Sequence, residues 1–257
     1  MKKEDWLNKN KFLFGPFIRI PRPEIIEMIG IAGFDFAIVD IEHGGMISHN
    51  EIYPLILAAE NRNIKLIVRT PGLQENYIKW LLDMGIHGLQ IPHIKSSSDA
   101  ELAVKFSKFS PDGERGLCRF VRAAEFSNIS KEDYLKETNN KSLIILQIEG
   151  KEGADNIEEI VKVKGVDIIF IGPYDLSQSL GIPGQIWHEK VIKEIKKIID
   201  ACNKQNISTG IFTDTLEGIE KWSKFGVKYL NYKVDVEMIL SCFKTQLNEL
   251  KNIVKDK

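Results

Sequence analysis

The sequence contains no apolar run near the roughly 20 residues needed to cross a bilayer. Its opening Met1-Lys-Lys-Glu-Asp-Trp carries charge where a secretory signal would carry an apolar core. Cysteine is scarce. Cys118, Cys202 and Cys242 stand far apart with no CxxC and no Cys/His cluster, which argues against both a disulfide framework and a thiolate zinc site. Neither sign of charge dominates: 35 Lys and Arg face 36 Asp and Glu, so the basic footprint of a nucleic-acid or anionic-membrane binder is missing. The expectation is a soluble protein of a reducing, cytoplasmic compartment whose partners are small molecules, with no nucleic acid and no membrane.

What is present is alternation. Apolar strand-like runs at Phe12 to Ile18, Phe36 to Ile41, Lys65 to Arg69, Gly88 to Ile94, Leu143 to Ile148, Val166 to Ile171, Ser208 to Phe212 and Val227 to Tyr232 are separated by segments with helical spacing. Eight strand–helix alternations over residues 1–257, with no linker between them, predict a single α/β domain, a (β/α)8 TIM barrel. A doubly wound open sheet is the second choice, disfavoured because no GxGxxG opens a helix. One stretch breaks the period. Residues 110–141 are too long for an ordinary connection and read as an inserted active-site loop whose Arg115, Arg119 and Arg122 could meet a substrate carboxylate. The last helix, Val236 to Val254, has an apolar face that could pack on a neighbouring subunit.

In such a barrel the chemistry gathers at the C-terminal ends of the strands. The polar residues there are Asp40, Glu42 and His43 after the second strand, Arg69 on the third, Gln90 and His93 on the fourth, Gln147 and Glu149 on the fifth and Asp175 after the sixth. Glu149 and Asp175, one strand apart, could share Mg²⁺ or Mn²⁺, which accept few protein oxygens and keep open positions; they could equally be ordinary loop carboxylates. His43 is a candidate general base because a free imidazole titrates near neutrality. Arg69 could stabilise an oxyanion. Asp83, on an otherwise apolar helix end, is either a solvated helix residue or a partner that orients a histidine. Gly172 to Gly181 reads as a loop with backbone N–H groups able to face an anion.

The runs Ala32-Gly-Phe-Asp-Phe-Ala-Ile-Val-Asp-Ile-Glu-His-Gly44, Val68-Arg-Thr-Pro71, Leu82-Asp-Met-Gly85, Gly113-Glu-Arg-Gly116, Gln147-Ile-Glu149 and Gly172-Pro-Tyr-Asp-Leu-Ser177 resemble, in order, the HpcH/HpaI aldolase family of metal-dependent class II pyruvate aldolases. The resemblance implies a phosphoenolpyruvate/pyruvate-type barrel cleaving a 4-hydroxy-2-oxo acid to pyruvate and an aldehyde, or the reverse. It implies Glu149 and Asp175 as ligands of Mg²⁺, Mn²⁺ or Co²⁺ and Gln147 as their polar neighbour. It further implies Arg69 on the keto oxygen, His43 as catalytic histidine oriented by Asp83, and the backbone around Gly172, Pro173, Tyr174 and Asp175 on the pyruvate carboxylate. A homo-oligomer, trimer or hexamer, is implied as well. The family often has a small residue where Tyr174 stands.

Three other readings compete. A citrate-lyase-β-like lyase acting on acyl-CoA esters would share the carboxylates. Schiff-base chemistry would need a lysine, for which Lys233 is the best-placed candidate. A barrel kept only for binding would not need His43, Arg69, Glu149 and Asp175 together.

Overall fold

The computed structural model describes residues 3–7, 11–44 and 48–255. In chain order the elements begin with α1 (Lys3–Trp6), β1 (Leu13–Ile18), α2 (Pro23–Ile31), β2 (Phe36–Asp40), α3 (His49–Asn61), β3 (Lys65–Arg69), α4 (Glu75–Met84), β4 (Gly88–Ile91) and α5 (Ser97–Ser107). A 3₁₀ turn (Arg122–Ser127), α6 (Lys131–Lys141), β5 (Leu143–Ile148), α7 (Lys151–Asp155), α8 (Ile157–Ile160), β6 (Ile168–Ile171) and α9 (Pro173–Ser179) follow. The chain ends with α10 (Glu189–Lys204), β7 (Ser208–Thr213), α11 (Leu216–Lys224), β8 (Tyr229–Val234) and α12 (Asp235–Lys255). All eight strands pair in parallel and in chain order, and β8 closes on β1. This is the expected (β/α)8 barrel.

Successive strand residues face opposite sides, and that alternation builds two cores. Outward residues such as Ala37, Val39, Leu66, Val68, Ile144 and Leu146 pack beneath the helices. Inward residues Phe36, Ile38, Ile67, Leu143, Ile145, Phe170 and Tyr229 fill the barrel. The ring of Phe36 stacks on Tyr229 with centroids 4.0 Å apart, and Trp6 of α1 meets both edge-on. Gly15 of β1 makes this packing possible. A Cβ there would lie 2.2 Å from the carbonyl oxygen of Phe36 and 2.4 Å from its ring. Gly15→Ala is therefore expected to cost about 1–3 kcal/mol by overpacking, read as a lower denaturant midpoint at unchanged slope.

Three expectations change. Gly172 to Gly181 is not a loop throughout, because Pro173 at the first helical position starts α9. The helical segment expected between the fifth and sixth strands is two short pieces, α7 and α8. The 110–141 segment joins the end of α5 to the start of β5, so within one chain it lies at the N-terminal face of the barrel, opposite the mouth. Its arginines bind there to their own chain. Arg115 pairs with Asp83 at 2.5 Å, Arg119 donates to the carbonyls of Ser127 and Ile129, and Arg122 pairs with Glu60. On α12, Leu240, Phe243, Leu247 and Leu250 leave an apolar stripe exposed.

Candidate metal centre at the barrel mouth

The inward period of each strand does not stop at its last apolar residue. After Phe36 and Ile38 the next inward positions are Asp40 and Glu42; after Ile67 comes Arg69, and after Ile145 come Gln147 and Glu149. Polar groups are thereby stacked directly on an apolar plug, where water is scarce and electrostatic interactions are strong.

Arg69 is locked in place. Its Nε and Nη2 donate to the two oxygens of Asp40 at 2.9 and 2.7 Å, Nη1 lies 3.0 Å from Glu42, and its guanidinium sits 4.5 Å over the ring of Phe17. Asp40 also pairs with Arg19 at 3.0 Å and accepts the backbone N–H groups of Glu42 and His43. Burial by itself would raise the Asp40 pKa, but the hydrogen bonds and charge of Arg69, with Arg19 and the His43 N–H, outweigh it and hold the carboxyl below the ordinary carboxylate range.

Glu149 is 4% exposed. Gln90 donates to Gln147 at 2.5 Å, and Gln147 donates to Glu149, forming a buried amide relay that fixes the carboxylate. His93 reaches across the gap. Its backbone N–H donates to Glu149 at 2.8 Å, its Nδ1 lies 2.9 Å from the same oxygen, and its Nε2 lies 2.7 Å from Glu42. The backbone at His93 has φ +60°, a left-handed conformation that a non-glycine residue rarely adopts and that here turns the ring between two carboxylates. Burial, opposed by Gln147 and His93 and reinforced by Glu42, pushes the Glu149 pKa above its ordinary value.

Ligand atoms of Glu42, His93 and Glu149 all lie within 4.8 Å of one another, which makes them a candidate cation site. The donor set fits a divalent cation. Glu42 Oε2 makes no hydrogen bond of proper geometry although the Arg69 guanidinium lies 3.0 Å away, and a half-buried carboxylate, Glu42, shares one gap with the buried Glu149. Gly172 keeps the flank open, since a Cβ there would lie 3.1 Å from Glu149 Oε2. Two carboxylates and an imidazole suit Mn²⁺ or Co²⁺ as well as Mg²⁺.

The remaining expected residues are placed as follows. His43 is exposed, with Nε2 3.8 Å from Glu42. Asp175 is exposed in the first turn of α9 and is not one of the three grouped ligands. Asp83 ends α4 and meets Arg115 rather than His43 within this chain. Tyr174 turns toward β7, donating to Asp214 at 2.5 Å beside the ring of Phe212; burial and that carboxylate push its pKa up to about 12. Lys233 pairs with Glu237 at 2.7 Å, which raises its pKa, the reverse of what a Schiff-base amine requires. The sequence places Glu42 and His93 at strand ends but gives no grouping of the two with Glu149, which the structure brings together as candidate ligands, and it gives no sign of Arg19 beside Asp40.

Residues 13–239 match the family model described as HpcH/HpaI aldolase/citrate lyase. The chain is 31% identical over 230 residues to 5-keto-4-deoxy-D-glucarate aldolase of Escherichia coli (strain K12), covering 88% of each chain. It is 30% identical over 245 residues to hydroxypyruvate/pyruvate aldolase of Paraburkholderia phytofirmans (strain DSM 17436 / LMG 22146 / PsJN), covering 93% of this chain and 94% of the relative. The crystal structure of the citrate synthase SbnG superposes with a TM-score of 0.89 at 31% identity, covering 99% of both chains. With its closed barrel and this span of similarity, the chain belongs to the HpcH/HpaI aldolase/citrate lyase family and is a class II pyruvate-type aldolase.

Proposed function

We propose that this aldolase cleaves a 4-hydroxy-2-oxo acid to pyruvate and an aldehyde, or joins them, at the mouth of the barrel. The observation that carries the reading is the convergence of Glu42, His93 and Glu149 on one gap beside a guanidinium held by Asp40. In this reading Glu149, with Glu42 and His93 or with Asp175, holds Mg²⁺, Mn²⁺ or Co²⁺. When bound, such a cation polarises the 2-oxo group and lowers the cost of enolate formation. Arg69 donates to the keto oxygen and holds the negative charge that develops there. His43, directly or through a water, takes the proton of the C4 hydroxyl. The C3–C4 bond then breaks, the aldehyde leaves, and its bonding electrons become the enolate of pyruvate, which is protonated at C3. The backbone from Gly172 to Asp175, with Gln147, seats the carboxylate.

The exposed stripe on α12 supports a homo-oligomer. Asp83 would then orient a histidine only across such an assembly, since its own chain gives it Arg115.

The likeness to a citrate synthase favours a second reading, a condensation that yields a tricarboxylate. One assay separates the two. Pyruvate release from 4-hydroxy-2-oxo acids, followed with Mg²⁺ or Mn²⁺ and then with excess chelator, is expected to be cation-dependent and to fall at least about 100-fold on chelation. Turnover that survives chelator, or that occurs only with thioesters, would overturn the aldolase reading.

A further inference from the structure

The N-terminal rim of the barrel, at the far end from the carboxylates, encloses a cavity of about 630 Å³. It lies against the starts of β3, β4 and β5 and under the 110–141 segment, whose presence there the mouth chemistry does not use. Four cations line it, Lys3, Lys65, Arg122 and Lys141, against three carboxylates, Glu60, Glu125 and Glu137.

The pairing among these charges is uneven. Lys3 is engaged by Asp167, Arg122 by Glu60 and Lys141 by Glu137. Glu125 is exposed and accepts from Asn128 at 3.0 Å, so solvent screens much of its charge. Lys65 has no carboxylate partner among the described residues, and it is only half exposed. Burial, then the charge of Lys141, lowers its pKa. Beside it stands His87, whose Nδ1 accepts the backbone N–H of Leu66 at 3.1 Å. That bond leaves the ring's proton on Nε2. Burial, then the charges of Lys65 and Arg122, press the His87 pKa down to about 4, so at neutral pH the ring is an uncharged donor. The remaining wall is mixed: Thr138 and Ser142 are polar, while residues such as Trp6, Leu82, Ile86 and Phe126 are apolar.

A water-filled cavity would hydrate Lys65 but leave its charge uncompensated in a confined space. One carboxylate would both neutralise the ammonium and accept from the imidazole. We propose that this cavity is a second binding site, for a small organic monoanion whose carboxylate sits between Lys65 and His87 and whose apolar body lies against the Trp6 side. Lys65 is the lining cation left without a carboxylate partner among the described residues, so one negative charge placed against it suffices, and a dianion such as phosphate would bring more than that one cation can match. The inference does not depend on the chemistry at the mouth.

The test uses the full chain with benzoate and inorganic phosphate as probes, followed by calorimetry and by ¹⁵N-histidine NMR, in which His87 reports this cavity and His43 and His93 report the mouth. Benzoate is expected to saturate with a Kd of about 1 mM, a binding free energy near −4 kcal/mol. It should move the His87 resonances and raise that residue's pKa by drawing in a proton against the bound carboxylate. Lys65→Met should weaken benzoate at least about tenfold, Lys65→Arg should retain binding, and Lys193→Met on α10 should leave it unchanged. No saturation by about 50 mM benzoate, equal affinity in Lys65→Met, shifts confined to His43 and His93, or phosphate binding more tightly than benzoate would each overturn the assignment. The wild-type NMR titration decides the matter even if a Lys65 variant folds poorly.

Discussion

Glu149→Gln is expected to abolish tight cation binding and to lower kcat/KM by about 10³-fold or more, with the melting temperature little changed. The substitution keeps shape and removes charge. Glu149 is almost fully buried, receives the His93 N–H and the Gln147 amide, and shares its gap with Glu42. A neutral amide can keep some of these hydrogen bonds but cannot balance a dication. Binding of Mn²⁺, measured by electron paramagnetic resonance without substrate, separates a lost ligand from lost substrate binding. The pH dependence has a definite sign. Burial raises the Glu149 pKa, and a cation needs the ionised form, so wild-type affinity should fall on acidification beginning at a higher pH than an unperturbed carboxylate would give. Unchanged Mn²⁺ affinity and turnover in Glu149→Gln would remove the candidate site.

The same buried gap shows why the site was only partly legible in the sequence. Lys65-Leu-Ile-Val-Arg69 reads correctly because a two-residue period fixes both the strand and the inward direction of Arg69. The same period places Glu42 two residues beyond Asp40, facing the same way, a signal in the sequence that points Glu42 into the mouth although the family resemblance names only Glu149 and Asp175 as ligands. His93 is different. Its place between the two carboxylates depends on a left-handed backbone conformation, and a histidine between Pro92 and Ile94 gives no local sign of that. Asp175 reads as a partner of Glu149 because both follow adjacent strands; Pro173 starts α9 at once and puts Asp175, exposed, in its first turn.

The 110–141 segment lies away from its own chain's mouth for a simpler reason. Its length suggested an active-site loop, whereas its position in the alternation, after a helix and before a strand, assigns it to the N-terminal face. Asp83 belongs to that face too, at the end of α4. Topology decided both cases, and length and residue type did not.

Arg69→Lys is expected to lower kcat by about 10²–10³-fold, roughly 3–4 kcal/mol in the transition state, while leaving the fold intact. Charge is conserved in this change, so the loss would measure geometry. The guanidinium makes two parallel bonds to Asp40, approaches Glu42 at 3.0 Å and lies over Phe17. A lysine ammonium can satisfy one of those partners but cannot hold a fixed plane against all three. If Arg69 acts on the developing oxyanion, kcat should fall much more than KM rises, because the interaction strengthens only as charge appears on the keto oxygen. Asp40→Asn should reproduce part of the defect without touching substrate, since Asp40 clamps two of the guanidinium nitrogens and its charge is balanced by Arg69 and Arg19. A large rise in KM with unchanged kcat in Arg69→Lys would instead assign Arg69 to ground-state carboxylate binding and leave the oxyanion to the cation alone.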